Sequence, residues 1–445
     1  MKDTLIERCE AGVAALLRLG ATDAEIYGQS ARTMSATIEK HDLQMARMQE
    51  ETAFGIRALV GDRIGFASTN DIEDLQRACR EAVTLAKASP GDPHNALPEG
   101  TPVVPVEKLY DPESERFTAD RVVERAIEML CIAEAIDRRV ILGDGEFVAK
   151  RGERAVANSR GVAAAERSSL FLYSALATAK DGDRVSNMDY QFGATRSVAG
   201  IDVEPIVRRA SRNALDSLGA EPGRSSFRGP VLLSPQAVEP LLIALLLYQT
   251  NARNVLRRQS RWGDAVGHRV AAPALTVVDD GRLPGGVATS AFDREGVPHA
   301  PITVIEQGTL AVLLHNSYSA RALAQPNTAH AAGSAQSVPG IGPTNLTILP
   351  GTASKESLLS EMRRGLLVTR FSGNLDPVSG DFSGVAKGAH LVENGRVTHA
   401  VSGTLIAGNA FECLENLSGI SCEQEAVLNL TLPYVRVEGV SVTGR

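Results

Sequence analysis

The chain has 445 residues, of which 43% are hydrophobic, 22% charged and 4% aromatic, and its formal net charge is −7. This length predicts two or three domains, with ample apolar residues for their cores. A net negative chain with so few aromatic side chains disfavours a nucleic-acid interface, which needs basic groups and rings for base stacking. The composition therefore predicts an ordinary globular protein whose partners do not include nucleic acid.

The cysteines and the apolar segments predict a cytoplasmic protein that has no membrane partner. The first residues are charged and amphipathic and lack the apolar core of a signal peptide. The longest apolar run, Leu241–Tyr248, is too short to cross a bilayer. The five cysteines are odd in number, widely spaced and free of any C-x-x-C pair, which favours reduced thiols over disulfides. They are Cys9, Cys79, Cys131, Cys413 and Cys422.

The first half of the chain mixes helical and strand patterns. Helices are predicted over 2–19, 72–87 (capped by Asn70 or Asp71), 119–136 and 203–217. Phe54–Val60 and Arg63–Ala67 flank a Gly61-Asp62 turn and predict a β-hairpin. Further strands are predicted between the helices, up to about residue 195.

A Gly- and Pro-containing stretch at 219–230 predicts the main domain boundary. The expected domains are an N-terminal α+β domain over 1–220, with a central part from about 108, and a β-rich C-terminal domain over 221–445. In the second domain, a helix beginning at Ser234-Pro235 or Glu239-Pro240 is predicted to carry the apolar run and continue to about Arg258. Helices and strands do not alternate regularly, so the predicted fold class is α+β, with mixed sheets and flanking helices.

No self-sufficient catalytic set is evident from residue spacing. None of the eight histidines is followed by Glu, and no two share a helix at the spacing that zinc ligands need. The stretch GDAVGH at 263–268 offers one acid and one His, and is interpreted as a loop that leads into a strand. Cys413 and Cys422 are interpreted as buried, inert thiols.

Three acid pairs lie in Gly- and Pro-rich loops. Such acids more often form caps and turns with their own backbone than bind a cation or a peptide amine, so structural roles are favoured. The pairs are Asp279-Asp280, Asp293/Glu295 and Asp376/Asp381.

Several phrases in the chain resemble the TldD/PmbA family, and in particular its PmbA (TldE) branch. They occur in the family's order and cover nearly the whole chain. They include GIRALVGDRIGFASTND (55–71), LTVVDDG (275–281), SAFDREGVP (290–298), HNSYSARAL (315–323) and GNLDPVSGDFS (373–383). The resemblance implies the family's two-domain fold.

The same resemblance implies that this chain lacks the family's zinc site. TldD-like members carry an H-E-x-x-x-H helix that should fall on Leu241–Gln249, where this chain has apolar residues. Their later Cys ligand should fall near Val427, and Cys422 lacks the matching context. The implied role is a non-catalytic subunit of a TldD/TldE heterodimeric metalloprotease for unfolded or precursor peptides. Zinc is expected in the TldD-like partner, and no cofactor is expected in this chain.

Residues within the matching phrases are the candidates for contacts with substrate or partner. They are Asp293, Glu295, Arg321, Asn374 and Asp376. Two other functions remain open. One is a metallopeptidase active on its own through a dispersed metal site drawn from His268, His315, His330 or Cys422. The other is a peptide-binding homodimer without proteolysis.

Overall fold

The computed structural model describes residues 4–223 and 226–444. Within these residues, the first sheet has seven antiparallel strands, four of which are long. The strands are β1 (Asp23–Glu39), β2 (Asp42–Val60), β3 (Arg63–Thr69), β4 (Val140–Asn158), β5 (Ala163–Asp181), β6 (Arg184–Val185) and β7 (Asp189–Thr195). They follow the order β3-β2-β1-β4-β5-β6, and β7 also pairs with β5. The predicted hairpin is confirmed: β2 and β3 pair antiparallel around a turn in which Gly61 has a φ of +63°.

Four helices cover one face of this sheet. They are α1 (Leu5–Arg18), α2 (Leu75–Ala88), α3 (Ala119–Ile136) and α4 (Glu204–Leu218), and short 3₁₀ turns occupy Pro112–Arg116 and Val198–Gly200. All four helices were predicted from the sequence, and α3 has the predicted bounds. The predicted cap of α2 is wrong, because the helix begins after Asp74 without a side-chain capping bond. Asp71 instead accepts a hydrogen bond from the backbone of Glu73, and so forms a turn ahead of the helix.

Alternation along the strands separates the two faces of the first sheet. On β1, Ile26 and Ile38 belong to the cores beneath the helices. Tyr27 points to the opposite face, where it packs with Phe292 and Ala335 from the second half of the chain. The first sheet is therefore covered by helices on one side and by the second half on the other.

Over the described ranges, the second sheet has fourteen strands and mixed pairing. The strands are β8 (Glu221–Pro222), β9 (Phe227–Leu233), β10 (Val277–Asp279), β11 (Ile302–Glu306), β12 (Thr309–Leu310), β15 (Leu346–Ile348), β16 (Arg364–Val368), β17 (Arg370–Leu375), β18 (Asp381–Lys387), β19 (Ala389–Glu393), β20 (Arg396–Ser402), β21 (Leu405–Asn409), β22 (Leu417–Val427) and β23 (Leu430–Thr443); β13 (Ala331–Ala332) and β14 (Gly340–Ile341) form a separate two-stranded ribbon. The last strand, β23, pairs with four others: β9, β15, β21 and β22.

Short helices pack around the second sheet. They are α5 (Pro235–Val238), α6 (Ala244–Thr250), α7 (Ala252–Leu256), α8 (Ser317–Ala322), α9 (Lys355–Ser360) and α10 (Ala410–Glu415), and a π-helical turn over Glu239–Ile243 joins α5 to α6. The predicted continuous helix to about Arg258 is wrong. Asn251 has φ −69° and ψ 109°, which ends α6, and its side chain accepts a hydrogen bond from the backbone of Arg253 to cap α7.

The architecture confirms the predicted α+β fold class, with helices flanking a sheet in each half; strand pairing is antiparallel in the first sheet and mixed in the second. Among the described residues, no helix is long and apolar enough to cross a membrane.

Candidate functional site

The apolar run Leu241–Tyr248 forms the π-helical turn and most of α6. Leu241, Leu242, Leu245 and Leu246 are at most 2% exposed and belong to the main core of the second half. The run is thus a largely internal helix, in which Ala244 is exposed and Leu247 and Tyr248 are half-buried, and its apolar character follows from burial on most sides.

The residues at this position do not fit a zinc ion. Zinc in proteins is held by imidazole, thiolate or carboxylate groups, and the run offers none of these. The polar residue that ends it, Gln249, is fully buried, and its side chain is engaged: it donates to the carbonyl of Pro377 at 2.5 Å and accepts from the backbone of Arg261 at 2.7 Å. The helix is therefore secured by packing and backbone contacts, and we derive no catalytic step through a metal here.

The structure does not assemble the dispersed set of possible metal ligands. His268 and Cys422 are exposed, whereas His315 and His330 are buried. Within residues 4–223 and 226–444, no group of three or more His, Cys, Asp or Glu side chains is arranged to hold a metal ion.

From the sequence, His268 is interpreted as part of a loop, and Cys413 and Cys422 as buried, inert thiols. His268 lies in an exposed turn just before Arg269, which bridges to Thr309, as expected of a loop that leads into a strand. Cys413 is buried as predicted, and burial raises the pKa of its thiol to about 12. The prediction for Cys422 is wrong, because this thiol is exposed.

The most heavily charged buried region lies between the two halves of the molecule. We call Glu25, Arg57, Arg294 and Glu295 the junction cluster; each is at most 4% exposed. Arg57 lies between two carboxylates, with Nε 2.9 Å from Oε1 of Glu25 and Nη1 2.7 Å from Oε1 of Glu295. Arg294 completes the cluster with Nη1 3.0 Å from Oε1 of Glu25. Two cations and two anions thus neutralise one another out of contact with water.

The cluster forms because β1 and β2 direct alternate side chains to the face that meets the second half. Glu25 and Arg57 oppose each other in the β1–β2 register. Gly55 lies on the same face of β2, and a Cβ there would be 2.5 Å from the carbonyl oxygen of Ala335. Only glycine allows so close an approach, which brings Arg294 within reach of Glu25.

The surroundings of Glu25 and Arg57 favour the charged forms of both side chains. Burial by itself would raise the pKa of Glu25, but Arg57 and Arg294 outweigh that effect and lower it. Arg57 shows the complementary effect, since its two carboxylate partners outweigh burial and raise its pKa. The cluster is therefore a set of ion pairs and not a set of neutral hydrogen-bonded groups.

Asp293 and Glu295, predicted as contacts with substrate or partner, are both 1% exposed. Glu295 accepts from Arg57 and, through Oε2, from the backbone of Ser317 at 2.8 Å. Asp293 accepts three backbone N–H bonds, from Glu295, Val297 and Ala331. Burial, followed by the nearby Glu295 charge, raises the pKa of Asp293 to about 7. Both acids thus serve the junction and are not available to a partner at the surface.

The other three predicted contact residues are exposed and separate from the junction. Arg321 lies in α8, and Asn374 and Asp376 lie at the β17–β18 turn. Asp376 accepts from the backbone of Val378 at 2.9 Å, so it forms the turn, and backbone N–H groups lower the pKa of its carboxyl. The structure therefore does not bring the five candidates together in one site.

Next to the junction cluster lies a cavity of about 310 Å³, which we call the junction cavity. Three arginines and two histidines line it: Arg154, Arg196, Arg294, His299 and His330. Burial, and then the charge of Arg154, lowers the pKa of His299 to about 3, so this ring is neutral at physiological pH. Asp293 and Glu166 supply acids to the wall.

Arg196 is a buried cation on this wall whose hydrogen bonds go to backbone carbonyls and not to a carboxylate. The acceptors are the carbonyl oxygens of Leu109, Ser169, Gly286, Val287 and Thr289, at 2.6–3.5 Å. Burial lowers its pKa to about 10. Arg196 therefore joins the two halves and contributes a positive charge to the cavity.

Sequence reasoning missed most of these residues. Two local features of the sequence point to buried charges: Glu25 interrupts the apolar strand segment AEIY, and Arg57 interrupts GIRALV. A charge inside an apolar strand indicates a buried partner, but it does not identify that partner.

Comparisons with known proteins agree with this fold and identify the family. Three family models match consecutive parts of the chain: PmbA/TldA metallopeptidase domain 1 at 24–86, the central domain at 111–218 and the C-terminal domain at 226–444. The chain belongs to the PmbA/TldD family. The sequence resemblance is thereby confirmed.

Relatives of the PmbA/TldD family match nearly end to end. Metalloprotease PmbA of Escherichia coli O157:H7 is 25% identical over 447 residues, covering 98% of this chain and 96% of the relative. A metalloprotease TldD homolog of Haemophilus influenzae is 24% identical over 443 residues, covering 94% and 89%.

Two solved structures share the fold of this chain. TldE from Thermococcus kodakarensis superposes with a TM-score of 0.91 at 24% identity, covering 98% of this chain and all of that one. A putative modulator of a DNA gyrase from Thermotoga maritima gives 0.89 at 25% identity, covering 99% and 100%.

Proposed function

We propose that this chain is a PmbA (TldE)-type subunit that lacks its own catalytic zinc site. It acts with a TldD-like subunit as a heterodimeric metalloprotease for unfolded or precursor peptides in the cytoplasm. One observation carries the proposal: at the position where the resemblance places the metal-binding helix, the side chains are apolar and buried. Relatives named metalloprotease PmbA, metalloprotease TldD homolog and TldE support the family context.

In this proposal, the chain contributes binding surface to the heterodimer and no catalytic side chains. Arg321, Asn374 and Asp376 remain the proposed contacts with partner or peptide, since all three are exposed. The domain division at residue 220/221 is also part of the proposal. It agrees with the separation of the first sheet, which ends at Thr195, from the second, which begins at Glu221.

A free strand edge offers a place for an extended peptide. Over Asp42–Ala53, β2 pairs with β1 on one side, and β3 begins only opposite Phe54. No described strand pairs with the other side of this segment. Adding a strand through backbone hydrogen bonds is tolerant of peptide sequence, which suits a protease for unfolded chains. The same edge also suits the second candidate function, a peptide-binding homodimer without proteolysis.

Co-expression with a TldD-like chain that carries H-E-x-x-x-H tests the proposal. An obligate interface should bury well over about 2,000 Å² and survive size-exclusion chromatography. We expect co-elution, peptidase activity only when both chains are present, and loss of activity with a chelator. Metal analysis of the separately purified chains should find zinc with the partner and not with this chain.

Variants of both chains serve as controls for the co-expression experiment. Exchanging the partner's motif Glu for Gln should abolish activity while the complex still forms. Arg321→Glu should weaken the complex, whereas Arg77→Glu, an exposed change in the first half, should not. If the two chains elute separately and the TldD-like chain is fully active alone, the heterodimer is contradicted. The peptide-binding homodimer would then be the better description of this chain. Stoichiometric zinc and peptidase activity in this chain alone would support the self-sufficient metallopeptidase.

A further inference from the structure

A second cavity between the two halves of the molecule has both cationic and apolar walls. We call it the α7–α8 cavity, and its volume of about 430 Å³ lies within the usual range of ligand pockets. Its walls come from α7, α8, the β2–β3 hairpin and the connection that follows α2. Arg57 and Glu295 of the junction cluster also line it, and their opposite charges are paired with each other.

Arg253 and Arg257 line this cavity without an anionic partner. Both are exposed, and within the described ranges neither guanidinium forms an ion pair or a hydrogen bond. The two residues are four positions apart, on α7 and at its C-terminal cap, so their side chains lie on the same helix face. Like charges at this spacing repel each other. An anion bound between the two guanidinium groups would relieve that repulsion.

The segment around α7 is basic, although the whole chain is acidic. Residues 253–269 contain five arginines and one acid, whereas the net charge of the chain is −7. Arg253 lies near Tyr318 on the α8 wall. A hydrogen bond to Asp92, then burial, raises the pKa of Tyr318, and the charge of Arg253 acts in the opposite direction. Asp92 accepts from the Tyr318 hydroxyl at 2.8 Å and from the backbone of His94, so it does not neutralise Arg253.

Other parts of the wall are suited to a peptide. Ile64, Leu256 and Val338 supply apolar surface, and Val338 is 48% exposed. Asn95 donates through Nδ2 to the carbonyl oxygen of Asp62 at 3.0 Å, which leaves its Oδ1 without a donor among the described residues. An apolar side chain, a backbone N–H and a carboxylate occur together in the C-terminal residue of a peptide.

We propose that the α7–α8 cavity binds the C-terminal residue of a peptide that ends in an apolar side chain. The carboxylate accepts hydrogen bonds from Arg253 and Arg257, whose planar guanidinium groups suit carboxylate pairing. The side chain packs against Leu256 and Val338, and the N–H donates to Oδ1 of Asn95. The apolar run of α6 does not line this cavity. The proposal therefore goes beyond the proposed function and requires neither zinc nor a second chain.

Calorimetric titration of the full chain with N-acetyl-alanyl-alanyl-leucine tests the proposal. We expect saturable 1:1 binding and a melting temperature that rises with peptide concentration. The C-terminal amide of the same peptide should bind at least about tenfold more weakly, because it lacks the carboxylate. N-acetyl-alanyl-alanyl-glycine should also bind more weakly, because it buries less apolar surface. Equal affinity for the acid and the amide would overturn the proposal, and decanoate binding as tightly as the peptide would reassign the cavity to fatty acids.

Substitutions of the arginines assign the binding to this cavity. Arg257→Gln removes one cation and should weaken binding of the free acid at least about tenfold, with little change for the amide. Combining it with Arg253→Gln should abolish the preference for the acid over the amide. Arg258→Gln is the matched control, because Arg258 is exposed and adjacent to Arg257 but does not line the cavity.

Ala96→Phe provides a second test that leaves both arginines in place. The larger side chain would fill the cavity from the connection after α2 and should weaken binding of the free acid at least about tenfold. Circular dichroism checks that each variant is folded. No binding by the wild-type chain at millimolar peptide, or unchanged affinity in the double arginine variant, would overturn the proposal.

Discussion

Arg57 on β2 and Glu295 in the second half lie 238 positions apart in sequence, yet Nη1 of one is 2.7 Å from Oε1 of the other. Oε1 of Glu25 accepts a hydrogen bond from Nε of the same guanidinium. Three side chains thus join the first sheet to the second half through contacts that water does not reach. The junction is specified by charge as well as by apolar packing.

Replacing Arg57 with Met should lower the free energy of unfolding by about 3–5 kcal/mol, because it leaves Glu295 buried without a counter-ion. Urea denaturation followed by circular dichroism measures the change. Arg77→Met is the matched control, since Arg77 pairs with Asp74 at the surface, where water and salt screen the ion pair and it contributes little to stability. Equal effects of the two changes would contradict the role assigned to the junction cluster.

Asp293 should make the stability depend on pH in a defined direction. Its folded pKa of about 7 exceeds its unfolded value of about 3.9, so the folded state holds a proton that the unfolded state has lost. Stability should therefore fall as the pH rises from about 4 to about 7, by at most about 1.4 kcal/mol per pH unit, and then level off. Denaturation at a series of pH values measures the slope.

Asp293→Asn should remove that slope whatever it does to overall stability. Glu25 acts in the opposite sense, because its lowered pKa means that stability is lost only as the pH falls below about 4. The effects of Asp293 and Glu25 on stability therefore fall in different pH ranges. A slope unchanged in Asp293→Asn would show that another group carries the proton.

Leu245→Glu should destabilise the chain by several kcal/mol, because the carboxylate would be desolvated in a core where Leu245 is fully buried. It should not restore peptidase activity, since a single carboxylate does not form a zinc site. The neighbouring exposed position supplies the control: Ala244→Glu should change the melting temperature little. A stable Leu245→Glu chain would mean that this helix moves out of the core.

His268→Ala should leave the peptidase activity of the two-chain complex unchanged. His268 lies in an exposed turn and is not near a group of metal-ligating side chains in the described part of the chain. Steady-state kinetics with an unstructured peptide provides the measurement, and circular dichroism confirms the fold. A large loss of kcat with the fold intact would give the GDAVGH stretch a catalytic role.

Local patterns in the sequence predicted those elements whose stabilising contacts are themselves local. The bounds of α3, the β2–β3 hairpin and the burial of most of Leu241–Leu246 follow from apolar patterns and turn residues. The interruption of the helix at Asn251 was missed, because a side-chain cap in the middle of a helical pattern competes with propensity only once the surroundings are fixed.

The charged contacts could not be predicted in the same way. Arg294 reaches Glu25 across 269 positions, and no spacing rule connects residues so far apart. Asp293 and Glu295 lie in a Gly- and Pro-containing loop, a context that predicts caps and turns and gives no sign of burial. That loop is buried by the other half of the molecule, which only the tertiary structure reveals.

The position of β23 in the second sheet has a consequence for synthesis on the ribosome. Leu430–Thr443 pairs with four strands, including β9 and β15, which precede it by more than 80 residues. Until this segment leaves the exit tunnel, the edges of β9 and β15 that it covers lack their partner. A nascent chain of that length exposes apolar strand edges, which promotes aggregation and recruits chaperones. The second half should therefore gain protease resistance in one late step, after its last strand emerges, whereas the first sheet can close while synthesis continues.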